Sequence, residues 1–276
     1  MHSHQEEQEF LKNYRLEDYP RPSVTADIAV FSLHNKIQPG YRKEPEKKLC
    51  LLLIQRGNQP FKDCWALPGG FLQPGETVEV CAGRELKEET CADVNLLRHI
   101  GIFSQPERDP RGWIISNAFL SVLSEEKLQN MEIQGADDAS CAKWFDINIS
   151  EINGSFILKL ENDDISIKSK LQLKKNQFDM PEFEITENGG LAFDHAKIII
   201  SALMYLRNEA EEFRLIFDFL PEKFTLTELQ KTQEAITGTP VLTANFRRKI
   251  ASCVVETKDF TEGAGHRPAR RYCRKK

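Results

Sequence analysis

Three glutamates crowd the end of one short stretch, GGFLQPGETVEVCAGRELKEETCA, which covers residues 69–92. Residues 77–90 contain no proline and many good helix formers, so they predict a helix. Positions three and four apart share a helix face, which puts Glu85, Glu88 and Glu89 on one stripe. Like charges there repel one another unless a cation lies among them. A hard divalent ion such as Mg²⁺ or Mn²⁺ meets that need, binds substrate phosphates and activates water.

The neighbouring residues add a second interaction to this stripe. Arg84 lies beside the acidic face, and we expect it to pair with Glu76 and hold the preceding loop against the helix. Acidic triplets also occur on solvated helix ends, so the three acids alone leave that alternative open.

The spacing of the whole stretch distinguishes the two alternatives. From Gly70 it reads Gly, five residues, Glu76, seven residues, and then Arg84-Glu85-Leu86-x-Glu88-Glu89. This pattern resembles the box of the Nudix (MutT-like) hydrolases, a loop-helix-loop signature. The resemblance implies an α/β/α sandwich with a mixed sheet, and divalent-metal hydrolysis of a nucleoside diphosphate linked to another group.

Roles follow from the resemblance, position by position. Glu85, Glu88 and Glu89 would bind the metal, the carbonyl of Gly70 would add a ligand, and Glu76 and Arg84 would brace the loop. The general base stays open between Glu89 and an acid of a later loop. The later candidates are Glu125, Glu126, Asp137 and Asp138.

Cys91 departs from the family pattern, which has glycine after the helix. Glycine there usually takes a left-handed conformation that a β-carbon disfavours. A cysteine therefore costs about 1 kcal/mol, or the chain leaves through a different turn. Because Cys91 lies beyond the carboxylates, metal binding should survive.

Composition limits the class of protein. The 276 residues suit about two domains, and 40% hydrophobic with 29% charged residues is ordinary for a globular protein. No apolar run reaches about 18 residues and no secretory signal opens the chain, so no membrane partner is expected. The seven cysteines form no CxxC pair. Reduced thiols in a cytoplasm are the simplest interpretation.

Charge is unevenly distributed along the chain. The net charge is −5, yet residues 240–276 hold ten Lys/Arg and three acids. The tail is therefore +7 and the rest of the chain −12. Such asymmetry is typical of a module that meets nucleic acid, and a solvated tail is the alternative.

The pattern along the chain predicts the elements that position these residues. Strands are expected over 24–33, 49–55, 94–103, 113–123 and 141–147, which with the box helix make an α/β or α+β domain. Residues 150–190 alternate apolar and polar and predict an inserted hairpin or meander, turning at 162–164. A helix follows over about 193–213, with Asp194 as N-cap and His195 in a structural role.

The C-terminal segment predicts a helix-turn-helix. A cap at Thr225 or Thr227 starts a helix through Ile236, a turn follows at 238–240, and a second helix carries Arg247, Arg248 and Lys249. The end of the chain alternates, turns at 263–265 and returns with arginines, as a β-wing does.

A second resemblance covers most of the chain. The segments SVTADIAVFSL, PERDPRGWIISNAFL, LAFDHAKII, FTLTELQKTQEAITG, NFRRKI and HRPARRY look like those of Nudix-related transcriptional regulators. The resemblance implies a Nudix domain fused to a winged helix, a homodimer on a double-stranded operator, and an ADP-ribose-type effector. It also implies control of NAD or sugar-utilisation genes.

Further site residues come with this second resemblance. Asp109 and Arg111 would face the ligand, or else form a salt-bridged turn; Trp113 is expected in the core rather than as an adenine platform. DNA contacts would come from the second helix and the wing, namely Arg247, Arg248, Lys249, Arg267, Arg270 and Arg271.

The expected organisation has three parts. They are an N-terminal extension (1–20), a Nudix domain (21–213, with the insert at 150–190 and the linking helix at 193–213) and a winged-helix domain (214–276). The expected function is a ligand-responsive transcriptional regulator that binds ADP-ribose or a related compound; the complete set of charged box residues leaves hydrolysis with Mg²⁺ open. The alternative is a plain pyrophosphohydrolase whose C-terminal domain serves dimerisation.

Overall fold

A computed structural model describes residues 4–36, 46–92, 94, 96–129, 139–261 and 268–275. The helices are α1 His4–Asn13, α2 Val78–Thr90, α3 Glu125–Gln129, α4 His195–Glu211, α5 Leu226–Thr237 and α6 Thr243–Ile250, with 3₁₀ turns at Leu16–Asp18 and Ile216–Phe219. The strands are β1 Ser23–Lys36, β2 Glu46–Arg56, β3 Trp65–Ala66, β4 Gly69–Phe71, β5 Arg98–Phe103, β6 Ile114–Val122, β7 Ala139–Ile152, β8 Ser155–Asn162, β9 Ile165–Lys175, β10 Pro181–Glu187, β11 Val254–Phe260 and β12 Arg270–Arg274.

One mixed sheet forms the centre of the first domain. Within the described residues its order is β10-β9-β8-β7-β2-β1-β6-β5, with β3 paired to β2 and β4 paired to β1. β1 runs parallel to β6 and antiparallel to β2 and β4. The position of β4 matters for function, because it carries the start of the glutamate-rich stretch to the middle of the sheet.

Strand β1 is buried on both faces, as its apolar sequence requires. Its side chains alternate between the two faces: Ala26, Ile28 and Val30 pack with α2, while Ala29, Phe31 and Leu33 pack with α4. A helix therefore covers each side of the sheet, and the predicted α/β/α sandwich is confirmed.

Helix α2 begins and ends as its sequence directs. The Thr77 hydroxyl accepts a hydrogen bond from the Val80 amide, which caps the first turn. At the other end Cys91 adopts the left-handed conformation, with φ 58°, and its amide donates to the Lys87 carbonyl. The cysteine thus keeps the turn that glycine usually makes, and it bears the steric cost of its β-carbon.

Strands β8, β9 and β10 form the predicted insert as an antiparallel meander with a tight turn at Asp163 and Asp164. They continue the main sheet through the β7–β8 pair. Their inward side chains join the core under α4: Phe156, Leu158, Leu160, Ile167 and Leu171. The insert therefore serves as structural cover.

The C-terminal domain has the winged-helix arrangement. α5 begins with a capping box between Thr225 and Glu228. It ends at Gly238, whose φ of 71° is a left-handed value that glycine adopts easily because it has no β-carbon. α6 follows, and β11 and β12 form the hairpin of the wing. Phe224 and Tyr272 exchange two backbone hydrogen bonds, which tie the wing to the segment before α5. The predicted turn at 263–265 lies outside the described residues.

Two local predictions are wrong. Trp113 is 56% exposed instead of buried, because it stands in the loop before β6 beside Pro106 and Pro110. β5 begins at Arg98, four residues later than expected from residue 94. The predicted N-cap of α4 is confirmed at Asp194, although its side chain makes no capping hydrogen bond.

No helix among the described residues is long and apolar enough to cross a bilayer.

Candidate functional site

The candidate site is a pocket of about 460 Å³ at the junction of β1, β4, α2 and the N-terminal end of α4. It carries both signs of charge. Its arginines are Arg56, Arg84, Arg108 and Arg111, and its acids are Asp27, Glu85, Glu88, Glu89 and Asp109. Such a lining suits a ligand with charged oxygens and a cation beside them.

Arg84 organises one wall of this pocket. Its Nε lies 2.6 Å from Glu76 Oε1, and its Nη2 lies 3.0 Å from Glu76 Oε2. Nη2 also donates to the Phe71 carbonyl at 3.3 Å. The bonds from Arg84 lower the pKa of Glu76 below its ordinary value. The loop before α2 is thus held against the helix by a bidentate pair.

Glu85 and Glu88 lie on the other side of the same guanidinium. Arg84 Nη1 is 2.8 Å from Glu85 and 2.9 Å from Glu88. A β-carbon at Gly70 would stand within 2.3–2.5 Å of the Glu85 carboxyl group, so a larger residue there would displace this carboxylate from its observed position. Burial raises the pKa of Glu85 although Arg84 opposes the shift.

Glu89 is the most deeply buried of the three glutamates, at 7% exposure. Its carboxylate accepts a hydrogen bond from the Gly69 amide at 2.8 Å. Burial, with smaller contributions from Glu85 and Asp27, raises the pKa of Glu89 to about 8. The positive charge around this carboxylate is therefore too small to offset the cost of burying its charged form.

This donor set fits a hard divalent cation. Glu85 and Glu89 are carboxylates with raised pKa values, and the Gly70 backbone packs directly on Glu85. No group of three His, Cys, Asp or Glu side chains is already arranged for a metal in the described part of the chain. Arg84 holds Glu85 and Glu88, so the predicted ligand set, Glu85, Glu88, Glu89 and Gly70, stays a prediction.

Asp109 and Arg111 also line the pocket. Arg111 Nη2 lies 2.7 Å from Asp109 Oδ2, so they form the salt-bridged turn. Contact of these two residues with a ligand stays a prediction. The Arg111 guanidinium also packs 4.9 Å from the Phe71 ring centroid and 5.2 Å from that of Phe193. Burial raises the pKa of Asp109, but the bonds from Arg111 outweigh it and lower the pKa overall.

A buried ionic network forms the pocket floor. Arg108 donates to both carboxylate oxygens of Asp194, at 2.7 and 3.1 Å, and lies 3.7 Å from Asp27. Asp27 also accepts from the Ser116 hydroxyl. His195 Nδ1 accepts from the Leu67 amide at 2.9 Å. The bond from Leu67 favours the structural role expected for His195, whose ring also lines the pocket.

Sequence reasoning missed this floor. Its members come from β1, β6, the loop before β6 and α4, so no local spacing joins them. One signal was present: Asp27 interrupts an otherwise apolar strand, and a charge there requires a buried partner. Arg56 and Phe193, which also line the pocket, were missed for the same reason.

Two family models match the chain. The NUDIX domain matches residues 41–157, and the NrtR DNA-binding winged helix domain matches residues 216–273. The chain is 32% identical over 269 residues to the ADPR responsive transcriptional repressor NtrR of Acinetobacter baylyi. The matched region covers 96% of this chain and 87% of the relative. The chain belongs to the NrtR family. This membership extends over both domains, since the match is nearly full-length.

One further similarity covers most of this NrtR-family chain, and another covers half of it. The crystal structure of Shewanella oneidensis NrtR complexed with a 27mer DNA has a TM-score of 0.61 and 26% identity, covering 91% of this chain and 93% of that one. The ADP-ribose pyrophosphatase of Methanocaldococcus jannaschii is 42% identical over 139 residues, which is 50% of this chain and 69% of the relative.

The candidate DNA-binding face of this NrtR-family chain lies on α6 and the wing. Arg247, Arg248 and Lys249 are all exposed on α6. On β12, Arg270 pairs with Glu256 and packs 5.3 Å from the Phe260 ring, while Arg271 is half-buried. Arg267 lies outside the described residues.

The two later candidate general bases that the structure describes, Glu125 and Glu126, are not brought to the pocket. Glu125 pairs with Lys47 at 2.7 Å, and Glu126 is exposed on α3; neither lines the pocket. Asp137 and Asp138 lie outside the described residues. Among the described candidates this leaves Glu89, which does line the pocket.

Proposed function

We propose that this chain is a ligand-responsive transcriptional repressor. The Nudix pocket binds ADP-ribose or a related nucleoside diphosphate derivative, and the winged helix binds a double-stranded operator. The observation that carries the proposal is the near full-length match to a repressor named as ADPR-responsive. The genes that it controls belong to NAD or sugar metabolism. The protein acts in the cytoplasm, and the free thiols of all seven cysteines accord with that reducing compartment.

The pocket chemistry supports a diphosphate ligand. Arg111 and Arg56 line the pocket, where both guanidinium groups pack on the Phe193 ring, and they provide positive charge for phosphate oxygens. Glu85, Glu88, Glu89 and the Gly70 carbonyl would hold Mg²⁺ or Mn²⁺. Such an ion, when bound, neutralises the carboxylates and polarises phosphate oxygens. Glu76 and Arg84 keep the loop and helix in register, and Asp109 fixes Arg111.

DNA binding is tested directly with the upstream region of the chain's own gene cluster. A labelled duplex of that region should bind the chain tightly, and saturating ADP-ribose should change the dissociation constant by about 5- to 150-fold. A homodimer on a palindromic site is part of the proposal, and light scattering during size-exclusion chromatography checks it. Equal DNA affinity with and without ADP-ribose would reject the repressor proposal.

Hydrolysis is a second activity, favoured by the complete set of charged box residues. The M. jannaschii relative is named an ADP-ribose pyrophosphatase and matches this half of the chain. Incubation with ADP-ribose and Mg²⁺ should release AMP and ribose 5-phosphate. No turnover across a panel of nucleoside diphosphate derivatives would leave binding as the role of the pocket. Turnover without any DNA binding would favour a plain pyrophosphohydrolase with a dimerising C-terminal domain.

A further inference from the structure

The N-terminal end of α4 is fixed to the loop that faces the pocket. Arg108 belongs to the same loop as Asp109 and Arg111, and only 4% of its side chain is exposed. Its guanidinium grips the carboxylate of Asp194, directly before α4, through two hydrogen bonds of 2.7 and 3.1 Å. A bidentate pair of this kind has a narrow range of geometries, so the loop and the helix end must move together.

Backbone contacts strengthen the same anchor. The Trp65 amide donates to Gly190 at 3.0 Å, and the Ala192 amide donates to Trp65 at 2.8 Å. The Leu67 amide donates to His195 Nδ1. Trp65 and Leu67 lie in the segment directly before β4. These bonds therefore hold the start of α4 against the pocket floor.

The other end of α4 is fixed to the winged helix. Arg207 Nε donates to the carbonyl of Ile236 at 3.2 Å, in the last turn of α5. A cation there meets the negative end of the α5 dipole. Gln233 Nε2 of α5 donates back to the Ala210 carbonyl of α4 at 3.3 Å. Asp194 and Arg207 are 13 positions apart, which places these anchors about 20 Å from one another along α4.

Two buried polar atoms of α5, near its contact with α4, have no hydrogen-bond partner among the described residues. They are Thr232 Oγ1 and Gln233 Oε1. Buried polar groups without partners are rare in stable interfaces, and contacts between domains readily have more than one arrangement. These two atoms therefore leave hydrogen-bonding capacity for a second arrangement of α5, while the bonds from Arg207 and Gln233 keep the two helices together.

We propose that α4 transmits the state of the pocket to the DNA-binding helices, with Arg108–Asp194 as its input contact and Arg207–Ile236 as its output contact. Ligand that engages the Asp109–Arg111 loop shifts Arg108, Arg108 carries Asp194 and α4, and Arg207 repositions α5 and with it α6. This rests on the proposed function. It requires only that the ligand bind the two positions of the loop with different affinity.

The test separates binding from coupling. Arg207→Met keeps the aliphatic stem and removes the contact to α5, and Asp194→Asn weakens the input contact. Asn208→Ala, on the exposed side of α4, is the matched control. ADP-ribose affinity is measured by titration calorimetry. Affinity for the labelled upstream duplex is measured by fluorescence anisotropy, with none and with saturating ADP-ribose for each variant.

We expect Arg207→Met to bind ADP-ribose alone, and DNA alone, within about threefold of the wild type. The ratio of the two DNA dissociation constants should fall from at least about fivefold in the wild type to below about twofold. Asp194→Asn should also lower that ratio, and Asn208→Ala should retain it. If thermal unfolding shows that Arg207→Met does not fold, Arg207→Gln takes its place.

Two results would overturn the inference in distinguishable ways. A wild-type ratio of one means that the proposed function fails, and the inference fails with it. A normal wild-type ratio that persists in both Arg207→Met and Asp194→Asn leaves the proposed function intact and rejects the route through α4.

Discussion

The carboxylate of Glu89 accepts a hydrogen bond from the amide of Gly69, 20 residues earlier, at 2.8 Å. This bond joins the last turn of α2 to β4 and fixes the glutamate at the bottom of the pocket. The same burial that fixes Glu89 raises its pKa to about 8, so a nearby cation would favour its charged form. The Gly69 bond thus helps to set the position of Glu89, whereas burial raises its pKa and the bond opposes that shift.

Glu89→Gln should separate these two properties. Glutamine keeps an oxygen for the Gly69 amide, so the thermal unfolding midpoint should stay near that of the wild type. The proposed hydrolysis of ADP-ribose should fall at least about 100-fold, because the charge is lost. Initial rates of AMP release measure this. Glu79→Gln, exposed on the same helix, should keep the wild-type rate, and full activity in Glu89→Gln would remove Glu89 from the chemistry.

His195 should make the protein sensitive to mild acid. Burial lowers the pKa of its imidazole, and this outweighs the opposing charges of Asp27 and Asp194. The unfolded chain takes up a proton near pH 6.5, which the folded imidazole resists, so stability is lost as pH falls below that value. Between pH 7.5 and 5.5 the contribution of His195 should drop by at most about 1.4 kcal/mol, the limit for an imidazole that stays neutral in the folded protein.

Urea unfolding at the two pH values measures this contribution. His195→Asn offers an amide oxygen to the Leu67 amide and cannot titrate, so its loss of stability between the two values should be smaller. His99→Asn alters an exposed histidine and should keep the wild-type loss. An unchanged loss in His195→Asn would mean that other groups govern the acid response.

Cys91→Gly should stabilise the protein. The left-handed conformation at φ 58° is strained for any residue with a β-carbon, by about 1 kcal/mol. Glycine removes that strain and gives part of the gain back through its larger entropy in the unfolded chain. Cys91→Ala keeps the β-carbon and is the control. If urea unfolding gives Cys91→Gly a lower free energy of unfolding than Cys91→Ala, the left-handed conformation at this position carries no strain.

Local features were predictable from the sequence because their causes are local. The helix over 77–90 and its acidic face follow from residue types three or four positions apart. The cap of α5 at Thr225, one of the two predicted positions, and the turn at its end follow from local residue types in the same way. The insert was predicted from its alternation, which sets which side chains reach the core.

The pocket floor was not predictable, because its contacts join distant residues. Arg108 and Asp194 are 86 positions apart. Asp194 has the residue type of an N-cap and stands at the N-cap position, yet its carboxylate goes to Arg108, since a buried charge-assisted pair is stronger than a cap. Trp113 shows the reverse case: an aromatic residue beside a strand was expected in the core, whereas its loop leaves it exposed.

The exposed cations of α6 should account for much of the affinity for DNA. Arg247→Ala with Arg248→Ala should weaken binding at least about tenfold and reduce the dependence of log Kd on log salt by about two, if both contact phosphates. Anisotropy titrations across a salt series measure both quantities. Lys12→Ala with Lys168→Ala makes the same charge change away from α6 and should leave the salt dependence unchanged. Unaltered binding in the α6 double variant would place the DNA face elsewhere.

Ligand and operator should influence each other by one and the same factor. If ADP-ribose changes DNA affinity through two states of the chain, then DNA must change ADP-ribose affinity equally, because the two paths around the cycle end in the same complex. Calorimetric titrations of ADP-ribose with and without saturating duplex give the second factor for comparison with the anisotropy ratio. Glu89→Gln suits this test, since it prevents hydrolysis during the titration. Factors that differ beyond error would mean that the three components exchange through an additional species, such as a dimer that dissociates when ligand binds.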